Sequence, residues 1–230
     1  MKKIDRLISY PRSGNHWVRF IVEWFSGRPT LGCRGNTIID TPIYANLVEM
    51  GLDSPLSHVD PALGPILEKS HSQNFFPGNN FAGKIVFILR NPKEVIIRQT
   101  GSYDKPNLSS WAELLEVFHA YQQPKHIIYY EDLLQKPEEV IPKLLTFLEL
   151  PHDDIPKFFE NFNKLKDESV GIYDNTDKVT SGAPERRSVT KGKDLLFHSK
   201  SYSLEERKSV DKFFKNNHPG ILDYIKRFLE

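Results

Sequence analysis

The chain lacks most of what would mark a secreted or membrane-embedded protein. A single cysteine, Cys33, stands in 230 residues. It cannot close an internal disulfide, so a stapled secretory scaffold is excluded and a reducing compartment is the simpler home. No Cys or His neighbour stands at metal-ligand spacing from it, which leaves a passive thiol. No stretch approaches the ~18 consecutive apolar residues of a membrane span. The basic start Met1-Lys2-Lys3 leads into no apolar core or cleavage site, so a signal peptide is not expected and the protein is read as cytoplasmic. Charge of one sign is missing as well: 31 Lys and Arg against 30 Asp and Glu leave a net charge of +1. That balance argues against a general binder of nucleic-acid polymers or anionic membranes, because the surface as a whole carries no basic field. Internal repeats and low-complexity tracts are also missing.

What is present is an ordinary globular composition, 39% hydrophobic and 27% charged, in a chain long enough for one sizeable α/β core. Short apolar runs at residues 4–10, 66–70, 84–89 and 126–130 read as strands. The run Lys84-Ile-Val-Phe-Ile-Leu89 is near-continuous, as in a parallel strand buried on both faces. Helices are expected over 17–25, 41–50, from Asn91 as cap and Pro92 as first residue to about Thr100, over 108–121 with Ser109 or Ser110 as cap, then over 137–148 despite Pro142, 155–165, 204–214 and 221–229. Alternating strands and helices predict an α/β three-layer sandwich with a central parallel sheet of four or five strands, the P-loop NTPase-like class, in a single domain over residues 1–230. Residues 166–199 lack apolar periodicity and read as a functional lid or as simple disorder.

The most informative segment is Tyr10-Pro-Arg-Ser-Gly-Asn-His-Trp17. A strand that breaks at Pro-Arg-Ser-Gly and resumes as a helix leaves backbone N–H groups converging at the positive end of a helix dipole, a cradle for phosphate. Gly14 permits close backbone approach and Arg12 adds a fixed charge. An ordinary strand–turn–helix connection would use the same residues. The loop lacks the Gly-Lys-Ser/Thr ending of a magnesium-triphosphate site, since Asn15 and His16 stand there; this favours an anion held without metal. A second basic segment, Arg90-Asn-Pro-Lys-Glu-Val-Ile-Ile-Arg98, leaves the apolar strand where ligands sit in parallel α/β folds. Arg90 reads as a ligand group, whereas Arg98 by itself reads rather as a charge on a solvated helix face. By periodicity Trp17 lies on the apolar face of its helix, as a core tryptophan would.

These residues resemble the sulfotransferases that use 3′-phosphoadenosine 5′-phosphosulfate (PAPS). The loop Tyr10–Trp17 is similar to their 5′-phosphosulfate loop, and Phe87-Ile-Leu-Arg-Asn-Pro-Lys-Glu-Val95 to their 3′-phosphate motif. Ile128-Tyr-Tyr-Glu-Asp-Leu-Leu-Gln-Lys-Pro137, with Phe147-Leu-Glu-Leu-Pro151, resembles a third segment. The likeness in order and spacing covers about residues 4–165. It implies PAPS as co-substrate and no metal. Glu68-Lys-Ser-His71 resembles the family's Lys-x-His segment, which implies His71 as general base and Lys69 as a charge near the transferring group; a loop histidine satisfied by local hydrogen bonds is the other reading of His71. Arg12, Ser13, Gly14, Asn15, His16 and Trp17 would line the 5′ end, with Arg12 where the family commonly has lysine. Arg90 would bind the 3′-phosphate together with Arg98, which replaces a family serine, or with Ser102 in its stead. Trp17 would stack on the adenine, a core tryptophan being its other reading, and Tyr130 and Phe162 would lie near that base. Thr190-Lys191-Gly192 resembles the family's tail element, implying Lys191 and Gly192 as further 3′-phosphate contacts, with Arg186 and Arg187 nearby.

The expected function is therefore transfer of a sulfuryl group to a hydroxyl or amine of a small-molecule or carbohydrate acceptor. A nucleotide kinase is the rival enzyme, and a PAPS-binding module without turnover is the non-enzymatic one.

Overall fold

The computed structural model describes residues 4–31, 56–71, 83–169 and 202–230. Strands β1 (Asp5–Ser9), β2 (Thr30–Leu31), β3 (Leu67–Ser70), β4 (Ile85–Leu89) and β5 (Lys125–Tyr129) form one sheet in the order β2-β3-β1-β4-β5. All of its pairings are parallel. After β1 the chain moves to one side of the sheet, through β2 and β3, and then crosses back to β4 on the other. The carboxyl ends of β3, β1 and β4 thus flank the point where strand order reverses, the place where open parallel sheets bind ligands.

The helices are α1 (Asn15–Ser26), α2 (Pro92–Thr100), α3 (Lys105–Ala120), α4 (Tyr130–Gln135), α5 (Pro137–Leu148), α6 (Ile155–Glu160), α7 (Leu204–Asn217) and α8 (Leu222–Ile225). Successive strand residues point to opposite faces, and this alternation builds two cores. Leu7, Val86, Ile88 and Ile128 face α1, α5 and α6. Ile8, Ile85, Phe87 and Leu89 face α2, α3 and α7. That is why every residue of β4 is buried and why its sequence carries no polar alternation.

Several boundaries differ from those the sequence predicts. Strand β2 lies within residues 27–36, which are rich in Gly, Arg and Pro and for which the sequence predicts irregular structure. It exists because buried Arg19 donates from Nε to Thr30 Oγ1 (2.8 Å) and from Nη2 to the Thr30 carbonyl (3.2 Å), while Glu23 Oε1 accepts from the Thr30 N–H (2.9 Å). Helix α3 begins earlier than expected: Asp104, not Ser109 or Ser110, is its cap and accepts from the Asn107 N–H at 3.0 Å. A proline in the first turn costs no hydrogen bond there, so the helix can start before the serines. The expected helix over 155–165 is interrupted at Asn161 and resumes over 162–169. The closing helix breaks into Pro219–Ile221, α8 and Lys226–Phe228. Of the segment read as a lid, 166–169 is helical and the remainder lies outside the described residues, as does the helix expected over 41–50.

Helix α2 is fixed at its origin. Asn91 Oδ1 accepts from the Lys93 N–H at 3.0 Å, and Glu131 Oε1 accepts from the Asn91 N–H at 3.0 Å. Lys93, 2% exposed, donates to Asp211 Oδ2 at 3.0 Å and to the Phe228 carbonyl at 2.9 Å. A buried cation needs such partners to offset its desolvation. The result is a rigid platform from which Arg90 and Arg98 project.

Candidate active site at the carboxyl edge of the sheet

The loop between β1 and α1 adopts two left-handed conformations within three residues, Arg12 (φ 69) and Gly14 (φ 92). A non-glycine residue held in that region costs roughly 1–2 kcal/mol, so surrounding contacts must offset Arg12. Gly14 is the N-cap of α1 and no side chain caps the helix, which leaves its first N–H groups available to an anion. Ser13, 1% exposed, has no hydrogen-bond partner for its Oγ among the described residues. A buried hydroxyl without a partner at an uncapped helix start suits an oxyanion ligand.

Arginines converge on this loop. Arg90 leaves β4 and donates from Nη1 to the Arg12 carbonyl at 3.0 Å. Its guanidinium carbon lies 4.6 Å from the centre of the Tyr130 ring, and Nη2 is 3.8 Å from Glu94 Oε1. Arg12 donates from Nε to Gln99 Oε1 on α2 at 3.1 Å. Burial, followed by the charges of Arg90 and Arg12, lowers the pKa of Arg98. Arg98 is therefore not an isolated surface charge: it belongs to a cluster of like charges that an oxyanion would relieve. Ser102 lies past the end of α2. Its hydroxyl donates to Asp104 Oδ2 (2.8 Å) and accepts from Asn107 Nδ2 (3.1 Å), so it serves the start of α3.

On the other side of β1, His71 follows β3. Its Nδ1 lies 2.7 Å from the Ser9 carbonyl. A carbonyl only accepts, so Nδ1 carries the hydrogen and Nε2 presents its lone pair. Ser9 Oγ is 3.5 Å from the same Nδ1 and accepts from Asn15 Nδ2 at 3.2 Å. Burial first, then the charge of Lys69, brings the His71 pKa down to about 4, with Arg12 contributing in the same direction. His16 is lowered to about 3 by burial, Arg19 and Lys69. Arg12 thus acts electrostatically on both His71 and Arg98. Lys69 acts in the same way on His71 and His16, so these charges lie near one another around the loop.

Trp17 is 6% exposed, stacked between Phe20 (5.4 Å between centroids) and Phe158 (6.1 Å), with the edge of Phe162 at 5.6 Å. It fills the core in the manner of a packed tryptophan, and Phe162 is half-buried beside it. Tyr130 lies against the loop: a Cβ on Gly14 would stand 2.1 Å from its Cε2. Lys191 and Gly192 lie outside the described residues. Ser9, Gln99 and Glu131 are site residues not singled out in the sequence. Their roles arise from the register, in which Ile8 pairs with Ser70 so that Ser9 falls beside His71, and from contacts across 40 or more positions. Among the described residues no cluster of His, Cys, Asp and Glu could hold a metal ion, and no helix is long and apolar enough to cross a membrane.

The depressed histidines predict how stability depends on pH. Both His16 and His71 bind a proton near pH 6.5 when unfolded and only near 3 and 4 when folded. Between about pH 4 and 6.5 the unfolded chain therefore holds more protons, and stability falls as pH falls through that window. Thermal unfolding followed from pH 7.5 to 4.5 should show the midpoint dropping below pH 6.5. The drop should be shallower in His71→Asn, which leaves two depressed histidines, His16 and His126 (the latter lowered by burial and then by Lys143), instead of three. Equal slopes would show that His71 is not buried in its neutral form.

Comparison with known proteins places this geometry. A family profile described as "Sulfotransferase domain" matches residues 101–218. Sulfotransferase 1 family member D1 of Mus musculus is 26% identical over 240 residues, which cover 92% of this chain and 77% of that protein. Sulfotransferase 1A1 of Rattus norvegicus is 26% identical over 205 residues, covering 74% and 69%. Among solved structures, mouse sulfotransferase SULT7A1 complexed with PAP superposes with a TM-score of 0.56 at 19% identity, covering 99% of this chain and 89% of that one, so the fold is shared. Since the profile takes in just over half of the chain and the relatives align along most of it, the chain belongs to the sulfotransferase domain family, enzymes that take their sulfuryl group from PAPS.

Proposed function

We propose that this protein moves the sulfuryl group of PAPS to a hydroxyl, or an amine, of a small-molecule or carbohydrate acceptor, with His71 as general base. The observation that carries this reading is the His71 imidazole: the Ser9 carbonyl at 2.7 Å fixes its tautomer, and it stands beside the uncapped start of α1. The acceptor oxygen forms a bond to sulfur as the bond from sulfur to the 5′-phosphate oxygen breaks. His71 Nε2 takes the acceptor proton, and the bonding pair stays on the phosphate oxygen of departing adenosine 3′,5′-bisphosphate. Arg12 serves as a cation and hydrogen-bond donor, not as a proton source. It supports the leaving group by charge and hydrogen bonds, and Lys69 adds charge at the transferring group. Ser13, Gly14, Asn15 and His16 line the 5′ end, with Trp17 behind them. Arg90 and Arg98 take the 3′-phosphate, Tyr130 and Phe162 border the adenine, and Lys191 with Gly192 completes the set.

Calorimetry tests the nucleotide half of this proposal. Adenosine 3′,5′-bisphosphate should bind the full chain with equal affinity with and without magnesium. Magnesium-dependent ATP binding would favour the kinase reading. Binding of the bisphosphate with no transfer of labelled sulfate to any phenol, sugar or amine in an acceptor panel would leave a binding module.

A further inference from the structure

We infer that Arg90 and Tyr130 act together as a clamp that holds the loop 10–14 in its anion-binding shape, so that Arg90 is a positioning residue for the 5′ end of the nucleotide as well as a ligand at the 3′ end. The inference rests on the nucleotide reading proposed above and adds a second role for the same arginine.

The loop does not hold itself. Two of its residues have positive φ, one of them the non-glycine Arg12, the helix it opens has no side-chain cap, and Ser13 Oγ contributes no hydrogen bond among the described residues. Besides Gln99 on α2, which accepts from Arg12 Nε at 3.1 Å, two side chains meet the loop from the exits of β4 and β5. Arg90, at the end of β4, is 3% exposed and commits Nη1 to the Arg12 carbonyl at 3.0 Å. Tyr130, at the end of β5, lies so close to Gly14 that a methyl group there would stand 2.1 Å from the ring. The two side chains also stack, with the Arg90 guanidinium 4.6 Å from the Tyr130 centroid. One therefore fixes the carbonyl at the strained residue, the other fixes the backbone two residues later, and each supports the other. Glu94 behind Arg90 (3.8 Å) and Glu131 on the adjoining Asn91 N–H (3.0 Å) hold the arginine's own position. Lysine keeps the charge that would serve a phosphate but has no planar fork to reach the carbonyl while stacking on the ring.

Arg90→Lys and Tyr130→Leu separate the two roles. Adenosine 5′-monophosphate, which lacks the 3′-phosphate, is titrated into the full-length wild type and both variants by calorimetry. Hydrogen exchange at residues 10–16 is followed in the same proteins without ligand. Both variants should bind the monophosphate about tenfold more weakly, which corresponds to about 1.4 kcal/mol. Their loop amides should exchange faster than in the wild type, while those of β1 stay as protected as before. Unchanged monophosphate affinity in Arg90→Lys, alongside weaker binding of the bisphosphate, would restrict Arg90 to the 3′-phosphate and overturn the clamp. Unchanged loop exchange in both variants would overturn it whether or not nucleotide binds. If the wild type bound neither nucleotide, the proposed function would fail instead, and the exchange data would still decide the clamp.

Discussion

Replacing His71 by alanine should lower sulfuryl transfer roughly 10²- to 10⁴-fold, the usual contribution of a positioned general base, and leave affinity for adenosine 3′,5′-bisphosphate within a few-fold. The asymmetry follows from where the proton goes. His71 acts on the acceptor, whereas the nucleotide is gripped by the loop and the arginines. Asparagine at position 71 is the sharper variant. Its amide N–H can still reach the Ser9 carbonyl, now 2.7 Å from Nδ1, but it offers no basic nitrogen. If orientation alone mattered, asparagine would retain much of the activity that alanine loses; if proton acceptance matters, the two fall together. The pH profile gives a second view. Burial and the charge of Lys69 hold His71 near 4, so it is already neutral at pH 6. The acidic limb of kcat/KM, which reports the free enzyme, should therefore lie well below the 6.5 of an ordinary histidine. Wild-type rates in His71→Ala would sink the assignment, as would an acidic limb at 6.5 that is unmoved in His71→Asn.

Which parts of this picture were legible in the sequence depends on how locally each is caused. Strands β1 and β4 and the helices α1 and α2 after them announce themselves through apolar runs ended by Pro11 and Asn91, and β3 and β5 through their apolar runs alone, since burial and helix capping are encoded within a few residues. The cap at Asn91 is one such case. Strand β2 is not encoded that way. Its two residues pair because Arg19 and Glu23 on α1 grip Thr30, a tertiary cause that no window around residue 30 contains. The same division runs through the site. Arg12, Gly14, His71 and Arg90 stand at strand exits and can be found by position. Ser9, Gln99 and Glu131 act through partners far along the chain. Read alone, Arg98 suited solvent and Trp17 suited either a ligand or the core. Packing adds what the sequence lacks: Arg98 feels the charges of Arg90 and Arg12, and the Trp17 ring stacks on Phe20 and Phe158.

Among the described residues, Gly14→Ala should be the most damaging single-methyl change, reducing affinity for adenosine 3′,5′-bisphosphate by at least 100-fold. Two costs act at once. At φ 92 a side chain is strained whatever surrounds it, by about 1–2 kcal/mol. In addition, the new methyl would overlap Tyr130, standing 2.1 Å from Cε2 and 2.3 Å from Cδ2. Either the ring leaves, and the stack with Arg90 goes with it, or the loop moves away from the anion. Gly101 is the control. It also has positive φ (79), yet nothing lies within 4 Å of a Cβ built there, so Gly101→Ala carries the backbone cost alone and should leave nucleotide affinity near wild type. A double-mutant cycle isolates the overlap. In a Tyr130→Ala background the methyl has room, so Gly14→Ala should cost distinctly less affinity than it does beside the intact ring. Equal costs in the two backgrounds would mean that strain at Gly14, not the ring of Tyr130, sets the shape of the loop.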